Sequence, residues 1–144
     1  MSDSWAKPPY RARVRYAECD AWGELQPFAL YALFDAAVAH AFGQLGVDWR
    51  ETTKPGQALR AGGVRMDVTM PLTYDNEVVF TVTDVRIDRS VLDIDVHAQH
   101  AGRSVQAASA VLSFVPRSEG GKLQTLPPEL TAALARIRAA AVAR

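Results

Sequence analysis

Cysteine is almost absent from this sequence, with one, Cys19, among 144 residues. A single thiol excludes an internal disulfide and a multi-cysteine zinc site. Charge excess is also absent, since sixteen acidic residues balance sixteen lysines and arginines. A protein that binds nucleic acid by neutralising phosphates carries a basic surplus, so nucleic acid is not an expected partner. No run reaches the roughly 18 apolar residues of a membrane span. The longest apolar stretch, residues 27–46, is broken by Asp35, His40 and Gln44. Residues 1–10 lack the apolar core of a secretory signal. These absences lead to the expectation of a soluble protein in a reducing compartment, the cytoplasm, with no membrane partner. There is no Gly-x-Ser-x-Gly elbow, no phosphate-cradling glycine loop and no internal repeat.

What is present is ordinary for a globular protein: 49% hydrophobic and 22% charged residues. A mass of 15.7 kDa suits one domain over residues 1–144. Zero net charge weakens repulsion between copies and so favours self-association.

Residues 1–9 read as a loose lead-in. Residues 11–20 then alternate, with Ala12, Val14, Tyr16, Glu18 and Asp20 on one face and Arg11, Arg13, Arg15, Ala17 and Cys19 on the other. Period two predicts a strand. Its core-facing row ends in two carboxylates, which lose solvation there unless something uses them. Trp22 and Gly23 break the strand, and Pro27 suits the first position of a helix. Residues 27–46 are apolar nearly all round, which predicts a helix covered on most sides and stopped at Gly46. Residues 47–63, with Pro55, Gly56, Gly62 and Gly63, read as a long loop. Four strands follow, over residues 64–70, 77–87, 92–99 and 103–115, with turns at 71–76 and at Gly102. Residues 127–144 read as an alanine-rich C-terminal helix. A helix without a polar face, followed by closely spaced antiparallel strands, implies an α+β hotdog fold. In that fold a curved antiparallel sheet wraps around a long central helix. One sheet covers only part of such a helix, so a homodimer or homotetramer that extends the sheet is expected.

The stretch Arg15-Tyr-Ala-Glu-Cys-Asp-Ala-Trp-Gly-Glu-Leu resembles the opening of the 4-hydroxybenzoyl-CoA thioesterase family of hotdog acyl-CoA thioesterases. The matching positions are Tyr16, Glu18, Asp20 and Gly23. Residues 34–37 (Phe-Asp-Ala-Ala), the turn 71–78 (Pro-Leu-Thr-Tyr-Asp-Asn-Glu-Val) and the hairpin Asp88-Arg89-Ser90 are similar to later motifs of the family, in the same order. The likeness spans residues 10–115.

The resemblance implies hydrolysis of an acyl-CoA, with coenzyme A as part of the substrate and no metal or redox cofactor. It makes Asp20 the nucleophile or general base. Read from the residues alone, Asp20 also suits a turn or helix cap. The helix start just after it offers free N–H groups and a partial positive charge for a developing oxyanion. The family position that donates a backbone N–H to the thioester carbonyl is here Pro27, which has none. The donation passes to Phe28 or Ala29, or the oxyanion hole is weaker. Glu18, Trp22, Gly23, Pro27 and Tyr31 are the expected substrate neighbours. Trp22, Phe28 and Tyr31 would line a pocket for an aromatic or medium-length acyl group. Coenzyme A carries phosphates, for which Arg86, Arg89 and Arg103 lie near strand ends. By resemblance, Arg89 with Ser90 is the preferred pair.

Other polar residues have plainer readings. Cys19 between two carboxylates reads as an inert thiol. His40 reads as a hydrogen-bonded core or interface histidine. His97, with Asp93 and Asp95 on its face, reads as part of a charged surface rather than a metal site. The alternative to an enzyme is a non-catalytic hotdog module that binds acyl groups or a protein partner.

Overall fold

The computed structural model describes residues 9–44 and 57–118, and, further on, residues 120, 122, 125, 126, 128, 130–132, 134 and 135. Most of the expected lead-in, the stop at Gly46 and most of the C-terminal helix lie outside the described residues.

Helix α1, Pro27–Gln44, begins at the proline, whose fixed φ suits a first turn. Five strands form one antiparallel sheet: β1 (Tyr10–Arg13), β2 (Gln57–Val68), β3 (Glu77–Asp88), β4 (Val91–His100) and β5 (Val105–Ser118). Their order across the sheet is β1-β3-β4-β5-β2. Along β4, Leu92, Ile94, Val96 and Ala98 are buried, while Asp93, Asp95 and His97 point to the other face. The inner face packs on α1 through Leu30, Phe34, Ala37, Val38, Ala41 and Phe42. The ring of Phe34 meets Phe80 edge-on, with centroids 5.4 Å apart. This is the expected hotdog architecture, a curled antiparallel sheet against one long helix.

Two expectations need correction. The first strand does not run to Asp20. It ends at Arg13, because its partner β3 begins at Glu77, directly opposite Arg13. The chain then turns through a 3-10 helix, Tyr16–Glu18. Tyr16, expected in the core row, is 80% exposed.

The second correction concerns residues 47–63. Strand β2 already begins at Gln57, and its register with β5 shifts between Ala61 and Gly63. The glycine pair marks a bulge inside a strand, not a loop. Helix α1 is covered by this chain in part, as expected of one sheet: Ala32, Asp35, Ala39 and Gly43 are exposed. The helical residues described near the C-terminus bury Leu130 and Leu134.

Candidate active site

The segment between the 3-10 helix and α1 doubles back on itself. Cys19 pairs with Leu25 in an isolated bridge. The Asp20 N–H donates to Glu24 O at 2.8 Å, and the Gly23 N–H donates to Asp20 O at 3.0 Å. Gly23 sits at φ 76°, where a side chain is disfavoured. The Asp20 carboxylate closes the loop from inside. Its Oδ1 accepts from the Trp22 N–H at 2.9 Å and from the Glu24 N–H at 3.0 Å. Asp20 therefore does act as a turn cap, through one oxygen. Among the described residues nothing donates to its Oδ2.

The helix start is tied to the same segment. The Gln26 N–H donates to Glu18 O at 3.0 Å, and Gln26 Nε2 donates to Cys19 O at 3.1 Å. The first helical bond runs from the Leu30 N–H to Gln26 O. Pro27 has no N–H to offer. Among the described residues, no oxygen accepts from the N–H of Phe28 or of Ala29. The carboxylate and the free amides thus belong to one cross-linked unit.

Glu18, expected beside substrate, is committed locally. Its Oε1 accepts from the Arg15 N–H at 2.9 Å and from Arg15 Nε at 3.3 Å. Cys19 is half-buried, and its thiol is pushed up by that burial first and by Asp20 and Glu18 next. Tyr31 is half-buried too, and burial, with Asp35 behind it, raises its phenol. Trp22 and Phe28 are 84% and 69% exposed. Tyr16 and Tyr74, which the sequence did not single out for the site, meet edge to face at 5.9 Å beside the same loop. Their signal was an aromatic in each of two separate turns, legible only once the turns are seen to touch.

Arg89 and Ser90 form the two-residue connection between β3 and β4, with Arg89 at φ 57°. They lie at the far end of β3 from the Asp20 loop. The twelve residues of β3, eleven steps of about 3.3 Å, place them roughly 36 Å along the strand from its start. One chain does not bring them together with Asp20. Arg86 is engaged elsewhere: Nη1 and Nη2 donate to the Asp95 carboxylate at 2.5 and 2.9 Å, and Nη1 donates also to Asp84. The hydrogen bonds to Asp95, chiefly, hold the guanidinium firmly charged, against a smaller effect of burial. Arg103 lies in the β4–β5 turn, its N–H donating to His100 Nδ1.

The histidines are ordinary. His40 lies 5.7 Å from the Tyr10 ring and within 3.4 Å of Gln44 Nε2. His97 borders an open depression of about 290 Å³ on the outer sheet face, with Arg65, Asp67, Asp95 and Ser109. Among the described residues no three His, Cys, Asp or Glu side chains are grouped to hold a metal. No described helix is long and apolar enough to cross a membrane.

No family model matches the chain, and no curated protein matches it by sequence. Solved structures do match its shape. A 1,4-dihydroxy-2-naphthoyl-CoA thioesterase from Synechocystis superposes with a TM-score of 0.79 at 16% identity, covering 88% of this chain and 93% of that one. A gentisyl-coenzyme A thioesterase gives 0.75 at 20% identity, covering 88% and 98%. A thioesterase from Thermus thermophilus, complexed with coenzyme A and Zn, gives 0.76 at 18% identity, covering 96% and 98%. The shared property at these identities is the hotdog fold.

Proposed function

We propose that this protein is an acyl-CoA thioesterase of the 4-hydroxybenzoyl-CoA thioesterase type, which hydrolyses a thioester to the free acid and coenzyme A. One observation carries the reading. Asp20 is fixed through Oδ1 seven residues before α1 begins, and among the described residues neither its Oδ2 nor the Phe28 and Ala29 amides at the helix start have a hydrogen-bond partner. Thioesterases of the same fold lend support, and so does the order of the sequence motifs.

In this reading Oδ2 acts in one of two ways. As a general base it removes a proton from water, and the water oxygen attacks the thioester carbon. As a nucleophile it attacks that carbon itself, and water then cleaves the resulting anhydride. Either way the carbonyl oxygen gains negative charge, and the Phe28 and Ala29 N–H groups donate to it. One such donor is worth about 2.7–4 kcal/mol of barrier. The carbon–sulfur bond then breaks, and coenzyme A leaves as a thiol after taking up a proton. Trp22, Gly23, Pro27 and Tyr31 border the acyl group; Trp22 and Phe28 suit a flat or medium-length one. Arg89 and Ser90 meet the nucleotide. Their distance from Asp20 within the chain requires a second copy, so the working form is a homodimer or a larger homo-oligomer. A reducing compartment, the cytoplasm, suits a protein with one unpaired thiol.

The alternative is a binding module without turnover. Pro27, which removes one amide from the helix start, favours it. Asp20→Asn decides between them. Asparagine keeps the Oδ1 acceptor for Trp22 and Glu24 but loses the charge. Turnover of short, long and aromatic acyl-CoAs by wild type, abolished in Asp20→Asn, establishes the enzyme. Binding of acyl-CoA by both without turnover establishes the module.

A further inference from the structure

The loop that carries Asp20 is held from outside as well as by its own bonds. Two of its residues are gripped by the turn before β3. The Leu25 N–H donates to Leu72 O at 2.7 Å, and the Tyr74 N–H donates to Gly23 O at 3.1 Å. These bonds flank Glu24, which bridges to Thr73. Glu24 is also the residue whose N–H donates to Asp20 Oδ1. The orientation of the carboxylate therefore depends on the turn.

From β1, Arg13 Nη1 donates to Asp75 O at 2.8 Å and to its Oδ1 at 3.4 Å, and the Asp75 N–H donates to Val14 O at 2.9 Å; inside the turn the clamp is the Asn76 side chain. Asn76 Oδ1 accepts from the Thr73 N–H at 2.8 Å and from Thr73 Oγ1 at 3.1 Å. Its own N–H donates to Thr73 O at 3.1 Å, and its carbonyl accepts from the Val14 N–H at 2.9 Å. The turn needs such a clamp, because Asp75 inside it is held at φ 71°, a region side chains rarely adopt. Asparagine suits this task, as its short side chain reaches back to nearby backbone groups.

We propose that Asn76 is a positioning residue for Asp20: it holds the 73–76 turn closed, the turn holds residues 23–25, and Glu24 thereby aims the carboxylate. The inference rests on the hydrolase reading for its kinetic consequence, but not for its structural one. Displacement by a fraction of an ångström leaves substrate binding in place and misaligns the attacking oxygen. The loss belongs in kcat.

The test compares wild type, Asn76→Ala and Asn76→Asp, with Val82→Ala as a control that loosens the core without touching the turn. On an acyl-CoA that wild type hydrolyses, Asn76→Ala lowers kcat about ten-fold and leaves KM within about two-fold. Asn76→Asp, whose carboxylate accepts the same two bonds, recovers most of that loss. Val82→Ala lowers Tm and leaves kcat near wild type. Backbone hydrogen exchange supplies a readout independent of turnover: the Glu24 amide exchanges about ten-fold faster in Asn76→Ala, and no faster in Val82→Ala than its global destabilisation requires. Unchanged kcat in Asn76→Ala despite a lowered Tm overturns the proposal, as does a Glu24 amide that exchanges as in the control. Absence of turnover in wild type refutes the hydrolase reading alone, since Glu24 exchange still decides whether Asn76 positions the loop.

Discussion

At the scale of the residue, Asp20 is a turn cap and, in the proposed reaction, also the reacting carboxylate. Aspartate in a turn accepts backbone N–H groups, and Asp20 does this through Oδ1. The cap leaves the proposed chemistry its second oxygen, because it uses only one. Stability and activity therefore separate on substitution. Asp20→Ala abandons two backbone donors and is expected to cost about 1–2 kcal/mol in thermal or urea unfolding. Asp20→Asn keeps the acceptor and unfolds close to wild type, yet is as inactive as Asp20→Ala. An Asp20→Asn enzyme with wild-type rates removes the carboxylate from the mechanism. Cys19 next door provides a pH test. Partial burial, then Asp20 and Glu18, raise its thiol above the ordinary value. The folded protein thus holds that proton more tightly than the unfolded chain. The stabilisation is complete below the unfolded thiol's pKa and fades as pH rises through the folded one. Alkylation of native Cys19, followed by mass spectrometry, is expected to accelerate only above the pH at which it does so in the denatured chain. Coincident profiles contradict the assignment.

At the scale of the element, helix α1 and strands β3, β4 and β5 were legible because their patterns are local. Pro27 opens the helix, and alternation along β4 separates Leu92, Ile94 and Val96 from Asp93, Asp95 and His97. The short reach of β1 was not legible. Residues 14–20 keep the alternation of a strand, but after Val14, which bonds to the turn at Asp75 and Asn76, the row has no ladder to join. The start of β2 was hidden for another reason: Gly62 and Gly63 read as loop punctuation, whereas β5 accommodates them at a bulge. Of the candidate site, the position of Asp20 before a helix start was legible, while the grip of the 73–76 turn was not, since it joins segments far apart in the chain. Two substitutions gauge these elements. Phe34 is fully buried against Phe80, so Phe34→Ala is expected to cost about 3–5 kcal/mol in urea unfolding. Gly23→Ala meets no atom within 4 Å, so its cost is the backbone strain at φ 76° alone, about 1–2 kcal/mol. A neutral Gly23→Ala means that the loop adopts another conformation.

At the scale of the whole molecule, the sheet of the described residues has one long unpaired side. β2 is twelve residues long and, among the described residues, pairs only with β5. It carries Arg60, Arg65, Asp67 and a bulge at Gly62, which temper pairing at an edge, but no proline and a full twelve-residue ladder of free backbone groups. Val64 and Val68 share the row opposite Leu112 and Ala108, and are 44% and 52% exposed. The other edge, β1, spans four residues. Antiparallel pairing of β2 with β2 of a second copy closes the long edge and covers both valines. The twofold axis through that seam also reverses strand direction. The Arg89–Ser90 hairpin of the second copy then lies at the same rim of the joined sheet as Asp20, whereas within one chain the two stand at opposite rims. In such a dimer the second copy's arginine shares a rim with the carboxylate, as the proposed shared site requires and as one chain does not provide. Sedimentation at micromolar concentration is therefore expected to give twice the 15.7 kDa of the chain. The double substitution Val64→Lys, Val68→Lys places like charges across the seam and should yield a folded monomer, because both side chains are exposed in the single chain. That monomer should lose affinity for acyl-CoA, with KM rising more than kcat falls. A wild-type protein that sediments as a monomer while hydrolysing acyl-CoA refutes the shared site, and so does a monomeric double variant with unchanged KM.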